Sequence, residues 1–236
     1  MRFTNVRLAG PPELPDFYRD VLGLPLDGDA TRIGETALRF TPGEGKPFYH
    51  FALLVPGDRF DAALTWAQAR VELLGDVFDF DNWDALAVYF HDPAGNIVEL
   101  IAHRGLEEHG RTGAFAGEEL VGFSELGLVG DPPTLLRELE GLGLSLWDGE
   151  VEVRNRLGFV GERGRTFILA PSGRGWLPTR RPAEAHPVET CIEIGDELHV
   201  VASGDAKQHG ARRSPRSPAG GVPSTASETE GLASSS

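Results

Sequence analysis

Three short stretches of mixed apolar and polar residues align without gaps: Phe3-Thr-Asn-Val-Arg-Leu-Ala9, Phe48-Tyr-His-Phe-Ala-Leu-Leu54 and Phe123-Ser-Glu-Leu-Gly-Leu-Val129. Each reads as a strand and runs into a Gly/Pro/Asp breaker. A helical pattern follows each breaker, over residues 15–22, 58–70 and 133–140. The first helix opens on Pro15 and stops at Gly23, and the third stops at Gly141, as proline and glycine do at helix starts and ends. The second places Phe60, Ala63, Leu64 and Ala67 on one face. Strand-sized segments come next, at 30–33 and 36–41, at 72–80, 85–90 and 96–102, and at 150–154, 157–161 and 166–170. The pattern predicts an α+β fold built from a β-α-β-β-β unit used three times, at 1–45, 46–105 and 120–172.

One such unit has a single helix to cover its sheet, so it needs a neighbour to complete a core. Units one and two are expected to form one domain over 1–105, joined by a linker at 106–119 to a third unit ending near 203. Residues 188–202 alternate around Gly195-Asp196, a two-residue turn that predicts a hairpin. That hairpin is expected to extend the sheet of unit three, with Cys191 in its core, and the rest of that sheet is expected to dimerise. From Gly204 on, Ser, Gly, Pro and Ala dominate and Val222 and Leu232 are the only larger apolar side chains. A segment so poor in apolar surface reads as a disordered tail.

Charge narrows the partners. The chain of 236 residues has 22 basic and 36 acidic side chains, a net charge of −14. The segment from Gly204 carries +1, which leaves −15 on the body. Such a body repels phosphate backbones and anionic membrane surfaces. The longest apolar runs, 51–55 and 85–90, fall far short of the ~20 residues that span a bilayer. The chain opens without a secretory h-region, and its single cysteine excludes an internal disulfide or a thiolate zinc site. These features place it in a reducing cytoplasm, with a small molecule rather than nucleic acid or membrane as its partner. Neither a phosphate loop nor a Gly-X-Ser-X-Gly elbow is present.

Two polar residues stand out in apolar strands. Asp92-Pro93-Ala94-Gly95 carries the residues of a type I turn. In the strand after it, Glu99 shares a face with Ile97 and Ile101. A carboxylate there is costly unless paired or metal-bound. His50 sits similarly in its own strand. A His and a Glu from two strands of one sheet can hold a divalent ion with open positions for a substrate. The competing reading puts Glu99 at a wet sheet edge and His50 in packing.

The stretches Asp16-Phe-Tyr-Arg-Asp-Val-Leu-Gly-Leu24 and Val88-Tyr-Phe-His-Asp-Pro-Ala-Gly-Asn-Ile-Val-Glu-Leu100 resemble the vicinal oxygen chelate superfamily of glyoxalases, extradiol dioxygenases and bleomycin- and fosfomycin-resistance proteins. The resemblance covers 1–105 well, and unit three looks like a divergent extra copy. It implies paired modules that hold a divalent metal (Fe, Mn, Zn or Ni) in the cup of their sheet, with ligands from the first and last strand of each module. On that pattern His50 and Glu99 are metal ligands. Asn5 and Arg39 occupy the matching positions of unit one, and Glu125 and Ile168 those of unit three. Arginine cannot ligate a metal; Arg39 would either bind substrate or pair with Glu99 in place of the ion. Asn5 and Tyr89 are further substrate-binding candidates, Tyr89 by likeness to the ring-cleaving enzymes. His91 reads as turn-facing or as an acid/base group, and 171–187, anchored by Trp176, as a connector or a lid. The implied function is a metal-dependent enzyme acting on adjacent oxygens of a small substrate. The alternative is a metal-free binding protein of the bleomycin-resistance type.

Overall fold

A computed structural model describes residues 1–153 and 155–204. The expected tail therefore lies, but for Gly204, outside the described residues. Among the described residues the fold is α+β, with fourteen strands in two sheets and three α-helices.

The repeated unit is visible in the strand pairing. Unit one comprises β1 (Arg2–Ala9), α1 (Leu14–Asp20), β2 (Leu26–Asp27), β3 (Ala30–Ile33) and β4 (Thr36–Thr41). Unit two comprises β5 (His50–Val55), α2 (Phe60–Gln68), β6 (Phe78–Phe80), β7 (Ala85–His91) and β8 (Ile97–His103). Unit three comprises β9 (Gly122–Gly130), α3 (Pro132–Glu140), β10 (Leu146–Gly149), β11 (Gly158–Glu162) and β12 (Arg165–Pro171). In each, the first strand runs parallel to the last, and the remaining strands follow as antiparallel neighbours. A helical crossover is what lets the first and last strands lie parallel.

Local chemistry accounts for the elements. Asp131 accepts a hydrogen bond from the Thr134 amide at 3.2 Å and so caps α3, with Pro132 in its first turn. The strand expected at 150–154 forms instead at Leu146–Gly149. Gly149 ends it at φ +83, where a Cβ would lie 2.1 Å from the Leu157 carbonyl oxygen, so only glycine fits. Of the strand expected at 72–80, only Phe78–Phe80 forms, with Leu73 making an isolated bridge to Phe90.

Assembly of the units differs from expectation. Strand β5 pairs antiparallel with β9, so units two and three share one eight-stranded sheet ordered β10-β11-β12-β9-β5-β8-β7-β6. The terminal hairpin, β13 (Val188–Ile194) and β14 (Glu197–Ser203), does not extend the sheet of unit three. It pairs through β13 with β1 and completes a six-stranded sheet ordered β14-β13-β1-β4-β3-β2. Burial explains the choice: all six residues of β5 are buried, as suits a strand flanked on both sides. Strand β1 needs a partner of its own, and β13 supplies Val188 and Ile192 to the core that holds Phe3, Val6 and Leu8. Cys191 points the other way and is half-buried, not in the core.

The two sheets face each other across that core. Phe3 of the smaller sheet meets Phe167 edge-on at 5.1 Å, and Phe51 stacks on Phe123 at 5.0 Å within the larger. Helices α1, α2 and α3 bury Tyr18, Trp66 and Leu139 in it. The opposite face of the larger sheet carries a second apolar cluster, including Ala52, Tyr89, Ile101 and Ile168, under Trp176 and Ala183 of the 171–187 segment. The candidate site lies on that face.

Candidate functional site

Sheet register brings three ionisable side chains together. On the three adjacent strands β8, β5 and β9, Ala52 lies beside Glu99 on one side and beside Glu125 on the other. His50, two residues before Ala52, shares its face. The small side chain of Ala52 leaves room for the three polar groups to converge over it. One ligand atom each from His50, Glu99 and Glu125 lies within 4.8 Å of the others, and all three residues are buried.

Position and protonation of the imidazole are set by its neighbours. Nδ1 of His50 lies 3.2 Å from the Ile97 carbonyl oxygen. A proton on Nδ1 satisfies that carbonyl and leaves the Nε2 lone pair facing the carboxylates, 3.6 Å from Oε2 of Glu99. Burial pushes the His50 pKa down to about 4, and the positive charge of Arg174 adds to the effect, so the ring is neutral at pH 7. The Trp176 ring packs against it at 4.9 Å.

The carboxylates are perturbed in the opposite direction. Burial raises the pKa of Glu125 to about 8. Burial and the neighbouring Glu125 charge drive Glu99 well above the carboxylate range, against a stabilising hydrogen bond from the Tyr89 hydroxyl. The Tyr89 phenol is itself held protonated by burial and by Glu99. No arginine or lysine among the described residues lies within 4 Å of either carboxylate. Two buried carboxylates beside a neutral imidazole, with no cation paired to them, form a donor set suited to a divalent ion. Ile168, which matches Glu99 in unit three, is apolar and buried and adds no donor to the group.

Of the other sequence candidates, Tyr89 lines the same cavity and Asn5 and Arg39 do not. Arg39 pairs with Asp29 at 3.1 Å, so the Arg39–Glu99 ion pair does not form. Asn5, on β1 in the smaller sheet, accepts at its backbone carbonyl from Thr190 Oγ1 at 2.7 Å. Both belong to the unit whose first strand joined the hairpin, which is why neither reaches the cup. Glu125, which the sequence sets at the position matching His50 without a ligand role, is the third member of the group. The argument applied to Glu99, a carboxylate in a strand with apolar neighbours, would have found it. His91 is exposed at the end of β7, and His103, at the end of β8, is buried.

The cavity at the three ligands has a volume of about 60 Å³. Phe80, Trp83, Leu157, Phe159, Arg174 and Leu177 border both it and a wider cleft of about 700 Å³. Nε1 of Trp83 donates to Asp148 at 2.6 Å across that cleft. The 171–187 segment supplies Arg174, Trp176 and Leu177 to the cavity wall, so it covers the cup as well as connecting the sheets.

No family model and no curated protein matches the sequence. Solved structures do match in shape. A candidate dioxygenase from Bacillus subtilis superimposes with a TM-score of 0.52 at 16% identity, over 86% of this chain and 84% of that one. Glyoxalase I from Zea mays gives 0.47 at 16% identity over 72% and 66%. A glyoxalase/dioxygenase from Nostoc punctiforme gives 0.34 at 16% identity over 43% and 90%. The chain has the fold of the vicinal oxygen chelate superfamily, with its His/Glu/Glu group at the junction of units two and three.

Proposed function

We propose that the protein is a divalent-metal-dependent enzyme whose ion is held by His50, Glu99 and Glu125. The observation that carries this reading is the convergence of those three buried side chains, with no arginine or lysine of the described residues within 4 Å of the two carboxylates. A bound divalent ion would supply Lewis acidity to two adjacent oxygens of a small substrate. The chain's residues do the rest. The carbonyl of Ile97 orients His50, and the Tyr89 hydroxyl orients Glu99. Trp176 covers one side of His50. With three protein ligands and apolar Ile168 in the cavity wall, the open side faces the aromatic throat of Phe80, Trp83 and Phe159, through which a substrate would arrive.

The metal-free binding reading loses one of its motives, since Arg39 does not take the place of an ion at Glu99. Titration of chelator-treated protein with Mn²⁺, Fe²⁺, Ni²⁺ and Zn²⁺ by calorimetry tests the proposal. One ion per chain is expected, with affinity reduced about 10–100-fold by Glu125→Gln and by His50→Gln. Absence of binding for all four ions would overturn it.

A further inference from the structure

The two sheets follow one plan, and one of them is short. Strand β5 pairs antiparallel with β9, and three further strands lie beyond β9. In the smaller sheet β1 pairs antiparallel with β13, but only β14 lies beyond it. The hairpin also brings no helix, and an apolar groove of about 310 Å³ stays open between α3 and β14. Leu135 and Leu139 line it on one side and Val200 and Val201 on the other, with exposed Glu138 among them. The other outer edges are short: β2, β6 and β10 have two, three and four residues, which discourages further pairing. Strand β14 has seven residues, with no proline or lysine among them. Its Leu198 and Val200, 70% and 65% exposed, are the most exposed large apolar side chains of the described residues.

Backbone geometry says what this edge can take. Gly195, at φ +61, and Asp196 form a two-residue turn between paired Ile194 and Glu197. Such a turn ties its flanking residues by hydrogen bonds in both directions. Glu197, His199 and Val201 therefore bond to β13, while Leu198, Val200 and Ala202 turn their N–H and C=O groups outward. Among the described residues those groups have no backbone partner. We propose that β14 is a dimerisation strand, on which a second copy pairs its own β14 antiparallel about a two-fold axis at Val200. That register is self-complementary. It sets Val200 against the partner's Val200, Leu198 against the partner's Ala202 and Glu197 against the partner's Ser203, so no like charges oppose each other. The charges beside the apolar row are balanced: Glu189 pairs with Arg7 at 2.7 Å and Glu193 with Arg2 at 2.6 Å. The pairing adds about six inter-strand hydrogen bonds. It also carries the partner's Val201, on the inward face, over the groove beside α3. This interface is independent of the metal-dependent reading above.

Sedimentation velocity of the full chain over a range of about 1–300 µM tests the inference. A reversible dimer with a dissociation constant of about 1–100 µM is expected, as suits a small interface. Val200→Pro removes an outward N–H, and Val200→Lys sets two like charges together at the axis. Each should weaken association at least about tenfold, with the circular dichroism spectrum unchanged. Val200→Thr keeps both the β-branched shape and the N–H and should dimerise like wild type. In hydrogen exchange of the wild type, the amides of Leu198, Val200 and Ala202 should slow as concentration rises, while those of Glu197, His199 and Val201 stay protected throughout. A monomer at every concentration would overturn the proposal. So would a dimer that tolerates both disruptive substitutions and leaves the three outward amides exchanging freely.

Discussion

In the cup, Nε2 of His50 lies 3.6 Å from Oε2 of Glu99, yet the two form no ion pair at neutral pH. Burial holds the imidazole neutral, so the carboxylate gains nothing from it electrostatically. Without a metal, Glu99 is a buried acid that folding must keep protonated or bury as an unbalanced charge. Glu99→Gln is therefore expected to leave the metal-free protein as stable as wild type or more stable, by up to about 1 kcal/mol. The same change should weaken divalent-ion binding at least tenfold. Urea unfolding in chelator, set beside metal titration of the same samples, separates the two effects. A loss of more than about 2 kcal/mol in chelator would mean that Glu99 is structural.

Opposite shifts within the cup give the metal-free protein an unusual pH profile. Burial pushes His50, and His103 at the end of β8 outside the cup, down to about 4 in the folded state, below the ~6.5 of an unfolded chain. The unfolded state binds more protons between those values, so these groups add stability as pH rises to 6.5 and then fall silent. Glu125 is raised to about 8 by burial, against ~4.3 unfolded. Here the folded state holds the extra proton, and stability falls as pH rises toward 8. Glu99 is shifted the same way. From pH 6.5 to 8 the carboxylates act alone within the cup; Glu125 by itself should cost chelator-treated protein about 1–2 kcal/mol, and Glu99 adds to the loss. Thermal melts should show a falling Tm over that window, less steep in Glu125→Gln. A Tm that holds steady or rises in wild type would contradict the raised carboxylates.

How far these features were legible depends on the range over which each is determined. The β-α-β-β-β repeat could be read because its signals are local: matching strand openings, Gly23 and Gly141 as helix stops, and the Asp92 turn. His50 and Glu99 could be read because a polar side chain among apolar strand neighbours is visible in one dimension. Which units share a sheet was not legible. Pairing of β5 with β9 is a choice between strand edges that all look alike in sequence, and it is settled by burial between residues 68 to 75 positions apart. That one choice determined which candidates met. It brought Glu125 to Glu99 across Ala52 and left Asn5 and Arg39 on the other sheet.

The Asp92 turn also joins two units. One carboxylate oxygen accepts from the Ala94 and Asn96 amides at 3.0 Å, and the other accepts from Asn96 Nδ2 and from the Tyr18 hydroxyl of α1, both at 2.7 Å. Asn96 in turn accepts the Tyr49 amide at 2.8 Å at the start of β5, one residue before His50. Tyr18→Phe should cost about 1–2 kcal/mol, since it leaves one carboxylate oxygen short of a partner. Asp92→Ala orphans several buried donors and should cost about 3–4 kcal/mol. A double-mutant cycle between these positions is expected to show coupling of about 1 kcal/mol. Additive losses would mean that the hydroxyl contact contributes nothing to holding α1 on the turn.

Docking of the hairpin onto β1 makes the last prediction. Ile192 lies opposite Phe3 in the β13–β1 register and is fully buried with it. Val200, on the next strand, is 65% exposed. Had the hairpin stood apart from the first sheet, the two positions would be similarly tolerant. In the observed pairing Ile192→Ala opens a cavity in the core between the sheets and should cost about 2–4 kcal/mol. Val200→Thr should change stability by less than about 0.5 kcal/mol. Metal affinity should survive both changes, because the hairpin and the three ligands belong to different sheets. Urea midpoints and metal titrations on the two variants decide it. Equal tolerance at both positions would show that β13 does not close the edge of β1.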